Sequence, residues 1–285
     1  MKKQLLLIFV AAMALVSCEK AFLPEDETGG NDKKTLRIAV DRLEQADFGQ
    51  VRGSSPLRNL CTKLTFVLFD EEGGLVARVN QGVAEESFGN ATINVEFGNY
   101  HLLVVAYQGE KNCVVEKDGG VTFNGASKIG DTFWYYGAVS FGETSSDVSV
   151  VLKRVVAKME IRGTDALPSN VKKVSIKYSK ATGTLDWATG YGKTSTSLTK
   201  DFEITDNMVG KPPYFEFYTF PHQEEESLTV KVCAYDANGA LVLEKVMENV
   251  PIRRNAITRY SGNLFNNAVG ISVSVDDNWE YVDYQ

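Results

Sequence analysis

The chain has 285 residues, 44% hydrophobic and 24% charged, a globular balance without collagen-like or disordered bias. Its net charge is −7 and no basic run exceeds two residues, so it lacks the cationic footprint that displaces counterions from nucleic acid. The two histidines, His101 and His222, supply little for metal or His-based catalysis, and cysteines at 18, 61, 113 and 233, with no Cys-x-x-Cys pair, exclude zinc ribbons and thioredoxin-type redox motifs.

In chain order, the first element is a targeting signal over residues 1–17. Lys2 and Lys3 form a positive start, and Leu5 to Val16 is an unbroken apolar run. That run is shorter than the ~20 residues a membrane-spanning helix needs, and it fits the apolar region of a secretory signal. It ends Leu15-Val16-Ser17-Cys18, which resembles a bacterial lipobox. That resemblance implies cleavage between Ser17 and Cys18 and acylation of Cys18. Each buried methylene of such an anchor contributes about 0.8 kcal/mol. Residues 18–34, with Pro24, Gly29, Gly30 and the acidic Glu25-Asp26-Glu27, read as a flexible tether. The acidic stretch is similar to the surface-export signal of Bacteroidetes lipoproteins.

The body reads as strands. Leu36–Val40, Leu64–Phe69, Ala91–Phe97, Val148–Leu152, Lys158–Arg162, Val171–Tyr178 and Leu228–Ala234 alternate apolar and other residues with period two. Asp70-Glu71-Glu72-Gly73-Gly74 and Asp236-Ala237-Asn238-Gly239 predict hairpin turns, to Leu75–Val79 and Ala240–Val246 respectively. No long amphipathic helix is expected. A boundary near Lys153 divides the body into β-sandwiches over residues 35–152 and 153–285, each long enough to bury a core. For Cys61, Cys113 and Cys233 two arrangements stand: buried free thiols, or a Cys61–Cys113 bridge.

Motifs for chemistry are scarce. Gly192-Lys193-Thr194 would close a phosphate-binding loop only with glycine at position 187, which is Trp187. Carboxylates are numerous and read as solvated charge. Asp276-Asp277-Asn278 lacks the spacing of an EF-hand calcium loop. Phe133-Trp134-Tyr135-Tyr136 and Tyr214 to Phe220 read as core aromatics of strands, with sugar-stacking platforms as the alternative. No enzymatic activity, cofactor or metal is expected.

Three segments, with the lipobox, resemble the fimbrillin superfamily of the Bacteroidetes, the FimB/Mfa type of fimbrial subunit lipoprotein found in type V pili. They are Val150 to Ile161, Phe217-Tyr218-Thr219-Phe220-Pro221, and Val250 to Phe265. The resemblance implies an all-β protein of two tandem transthyretin-like β-sandwich domains. It implies an outer-membrane surface location through the lipid anchor, and assembly with other fimbrial subunits into an adhesive pilus. Surface ligands of host or bacterial cells are further expected partners, and nucleic acid is not. Shaft subunits of the superfamily are cleaved after an arginine and lose their first strand, and a neighbour's strand fills the groove. Carried over to this sequence, the cleavage candidate is Arg52, before Gly53. The exchanged strand would present Leu36, Ile38 and Val40, and the donor strand Val269, Ile271, Val273 and Val275. No long donor extension is expected beyond the last strand, which favours an anchor or tip subunit. The alternative reading is a surface glycan-binding lipoprotein.

Overall fold

The computed structural model describes residues 33–44, 57–123, 129–266 and 272–276. These residues are mostly β. The first strands are β1 (Lys34–Glu44), β2 (Lys63–Phe69), β3 (Leu75–Gly82), β4 (Asn90–Val95) and β5 (Gly98–Tyr107), with one short helix, α1 (Leu57–Leu60), before β2. Then come β6 (Val114–Val115), β7 (Gly120–Thr122), β8 (Thr132–Phe141) and β9 (Asp147–Arg154). Strands β10 (Ala157–Gly163), β11 (Lys173–Ala181), β12 (Thr184–Asp186), β13 (Thr196–Glu203) and β14 (Tyr214–Thr219) follow. The last are β15 (Glu225–Tyr235), β16 (Leu241–Arg253), β17 (Ile257–Gly262) and β18 (Ser272–Asp276).

Both expected hairpins form. β2 pairs antiparallel with β3 and β15 with β16. The turns place Gly73 at φ 83° and Gly239 at φ 77°, a region only glycine enters without strain. Asp70 and Asp236 each accept backbone N–H bonds within their turn, which holds the loop in shape.

The strand order repeats. In residues 34–154 the sheet runs β3-β2-β5-β8, then β9-β1-β4. The two limbs join only where Phe133 and Trp134 of β8 meet Arg154 and Lys153 of β9. They face each other across one core, in which Leu36 and Ile38 of β1 and Ile93 of β4 pack with Phe66, Leu102 and Val104. In residues 157–276 the sheets run β13-β11-β15-β16 and β14-β10-β17-β18. Each half thus opens with a strand held between an antiparallel and a parallel neighbour: β1 between β4 and β9, β10 between β14 and β17. The exception is β18, which has no counterpart among the described residues of the first half.

The alternation read for Leu64–Phe69 predicts one buried face, but all six residues are buried. Leu64, Phe66 and Leu68 enter the core of the first half, while Val67 and Phe69 join Leu103, Val105 and Tyr107 in a second cluster. That cluster runs on through Met159, Ile176, Phe217 and Tyr260. The sheet containing β2 and β5 is therefore a shared layer, covered on both faces, as a near-continuous apolar run such as Leu102–Tyr107 requires.

Other contacts fasten this layer. β12 pairs with β7, so a strand of residues 184–186 completes a small sheet begun at 114–122. The Trp187 ring stacks on Phe69 at 4.7 Å. Arg154 and Asp131 form an ion pair at 2.7 Å with side chains 0% and 1% exposed, and the Arg154 Nη1 reaches Asn255 Oδ1 at 3.2 Å. Charges this deep persist because each satisfies the other.

Candidate assembly interface

The strand nominated for exchange, β1, is an inner strand. It pairs antiparallel with β4 from Lys34↔Val95 to Ala39↔Asn90, and parallel with β9 from Arg37↔Asp147 to Glu44↔Lys153. Leu36 and Ile38 are 0% and 1% exposed, and Val40 packs half-buried against the same core. Burying two such side chains stabilises by about 1.5–3 kcal/mol each. The register shifts between Val40 and Arg42, a bulge beyond which pairing with β9 resumes to Glu44. Outward, Arg37 reaches Asp147 at 3.4 Å and Thr35 Oγ1 reaches Asn94 Oδ1 at 3.0 Å, both exposed contacts worth little. Removing β1 would bare the facing edges of β4 and β9 together with an apolar slot.

The donor candidate differs. The described part of it, β18, lies antiparallel on the edge of β17, from Ile257↔Asp276 to Ser261↔Ser272. Val273 is 45% and Val275 39% exposed, so the apolar face read from the sequence covers no core. Besides its ladder the strand is held by Asp276, which meets Arg259 Nη1 at 2.9 Å. The Asp276 carboxylate is thus engaged by a guanidinium. Val269 and Ile271 lie outside the described residues, as do the lipid-attachment pair Ser17 and Cys18 and the cleavage candidates Arg52 and Gly53.

Arg259 belongs to a network the sequence reading missed. Lys158, Glu160 and Arg162 alternate on one face of β10, a period-two signal of a polar face. Glu160, fully buried, receives Lys158 Nζ at 3.1 Å, Arg162 Nη2 at 2.7 Å and Arg259 Nε at 2.8 Å. Lys158 also pairs with Glu216 at 2.7 Å, and the Tyr214 hydroxyl donates to Glu216 at 2.8 Å. Burial pushes the Glu160 carboxyl up, but the guanidinium of Arg259 and the charges of Lys158 and Arg162 outweigh it and hold the group at about 2. Burial, and after it the carboxylates of Glu216 and Glu160, push the Tyr214 hydroxyl up. This network ties β10, β14 and β17, and through Asp276 also β18.

The aromatic clusters are packed. Phe133, Phe215, Phe217 and Phe220 are buried. Trp134 donates from Nε1 to the Trp187 carbonyl at 2.9 Å, and Gly190, at φ 72°, lies against its ring so closely that a Cβ there would meet it at 2.9 Å. The core reading therefore holds for these rings. Cys61, Cys113 and Cys233 are buried free thiols, so the alternative of a Cys61–Cys113 bridge is set aside. Burial pushes the Cys61 and Cys113 thiols up.

Residues 113–284 match the model of a family of unknown function, DUF6562. No curated protein matches the chain. Among solved structures, a candidate polysaccharide-binding protein from Bacteroides thetaiotaomicron aligns with TM-score 0.53 and 13% identity, covering 86% of this chain and 99% of its own. A candidate adhesin from Bacteroides ovatus aligns with TM-score 0.51 and 11% identity, covering 75% of this chain and 77% of its own. A candidate cell adhesion protein, also from Bacteroides ovatus, aligns with TM-score 0.50 and 12% identity, covering 88% and 99%. At these identities the likeness is one of fold: the chain shares its architecture with adhesin-type proteins of Bacteroides.

Proposed function

We propose that this chain, which belongs to DUF6562, is a cell-surface pilus subunit, an anchor or tip component that acts in adhesion and joins its neighbours by β-strand donation. Its two halves then serve as tandem transthyretin-like sandwiches over residues 35–152 and 153–285, carried on a tether from a lipid at Cys18. The observation that carries the reading is the contrast between an inner first strand and a last strand laid on an open sheet edge with its valines exposed. A subunit that gives away a strand needs such a light attachment, because the donor must leave one edge before it satisfies another. The shared fold of adhesin-type proteins supports it. A glycan platform built on Trp134 or Tyr214 is disfavoured, because one ring is covered by Gly190 and the other is held among carboxylates.

The test is the mature N-terminus of protein recovered with sheared pili, read by mass spectrometry. Acylated Cys18 on pilus-associated protein is the expected result for an anchor. A start at Gly53 would overturn the anchor role in favour of a cleaved shaft subunit. Absence of the protein from pili would overturn the reading as a whole.

A further inference from the structure

The repeated strand order makes one vacancy visible. β17, parallel to β10 on one side, carries β18 on the other. β9 holds the same place in the first half, parallel to β1. On its far side, β9 meets β8 only at Lys153 and Arg154, and no strand among the described residues pairs there with residues 148–152. We propose that this open edge of β9 is a docking site for β18 of a second copy of this chain, which adds antiparallel while β1 stays in place. The proposal rests on the reading of the protein as an assembling subunit but names a different acceptor from the groove left by a lost first strand.

Three observations select that occupant. β18 already makes this kind of pairing, on the edge of β17 that the repeat equates with the β9 edge. It is exposed along Ser272–Val275, so leaving costs little buried apolar surface. The chain is held up to Asn266, whose backbone N–H donates to Asp165, and the five residues between Asn266 and Ser272 give the strand a reach of up to about 17 Å. The acceptor is prepared as well: Val150 and Leu152 are anchored in the core, so the edge is a fixed template, and Ser149 faces outward where an added strand would not clash. An unpaired edge of this kind attracts a strand through main-chain bonds alone. A strand given from one edge to a different edge of the next copy is a head-to-tail contact, which can propagate from copy to copy.

The test is cross-linking of the purified mature protein with a bis-maleimide that spans about 8 Å. Neighbouring strands lie about 4.8 Å apart, so a strand added outside β9 is within reach of Ser149 but about 14 Å from Thr92 on β4. The S149C/S274C protein should form a ladder of trimers and larger species, at least ten-fold more abundant than in T92C/S274C protein. Each single variant should stop at dimers. The native thiols at 61, 113 and 233 are buried, and the unsubstituted chain supplies the baseline. A ladder of equal strength in both double variants would place the donor between β4 and β9, in the slot of β1, and overturn the proposal. No ladder in S149C/S274C would also overturn it, and would leave the pilus reading standing if the protein is still recovered with pili.

Discussion

The first and last described strands of this protein, of 11 and 5 residues, both alternate apolar with polar residues and are held in opposite ways. β1 lies inside its sheet, paired to β4 over Lys34–Ala39 and to β9 from Arg37 on, with Leu36 and Ile38 sealed in a core. β18 is paired on one edge, and its valines face solvent. The difference is one of position in a repeated topology. Because β9 and β17 occupy equivalent places, the edge that β18 covers in one half is the edge that no described strand covers in the other. Equal sequence patterns therefore confer unequal stability.

The comparison can be broken or sharpened by substitution, beginning with the layer that joins the halves. Asp131→Ala leaves the Arg154 guanidinium buried without its carboxylate, and should cost about 3–5 kcal/mol in urea unfolding. Leu36→Ala opens a cavity under β1 and should cost about 2–5 kcal/mol by the same measurement. A smaller value would mean that β1 is more loosely packed than its position implies.

Acid should act on the second half. The Glu160 carboxyl is held at about 2, below its ordinary 4.5, so its contribution is present above pH 4.5 and lost as pH falls toward 2. The loss should be on the order of 3 kcal/mol, and Glu160→Gln should flatten stability across that window. At the weak end, Val273→Ala should change stability by no more than about 0.5 kcal/mol, since its side chain leaves no cavity behind.

The sequence made some of this legible and hid the rest for physical reasons. The hairpins at Asp70–Gly74 and Asp236–Gly239 could be read because turn chemistry is local. β5 was passed over because Leu102–Tyr107 is apolar throughout, and period two vanishes when both faces are covered. The pairing of β12 with β7 joins residues far apart in the chain, and no local pattern announces it. Lys158, Glu160 and Arg162 could have been noticed as a polar face, but their convergence with Arg259 depends on parallel pairing with β17. For Val273 and Val275 the alternation was read correctly as a strand, yet it does not say whether a core lies beneath. Here tertiary context left the apolar side uncovered.

The central claim is that the last strand is detachable while the first is locked, and amide hydrogen exchange of the intact mature protein tests it most directly. Amides of Ser272–Asp276 should exchange through local opening, at least about 100-fold faster than those of Leu36–Val40, which should open only with the sheet. Equal protection of the two strands would contradict the account.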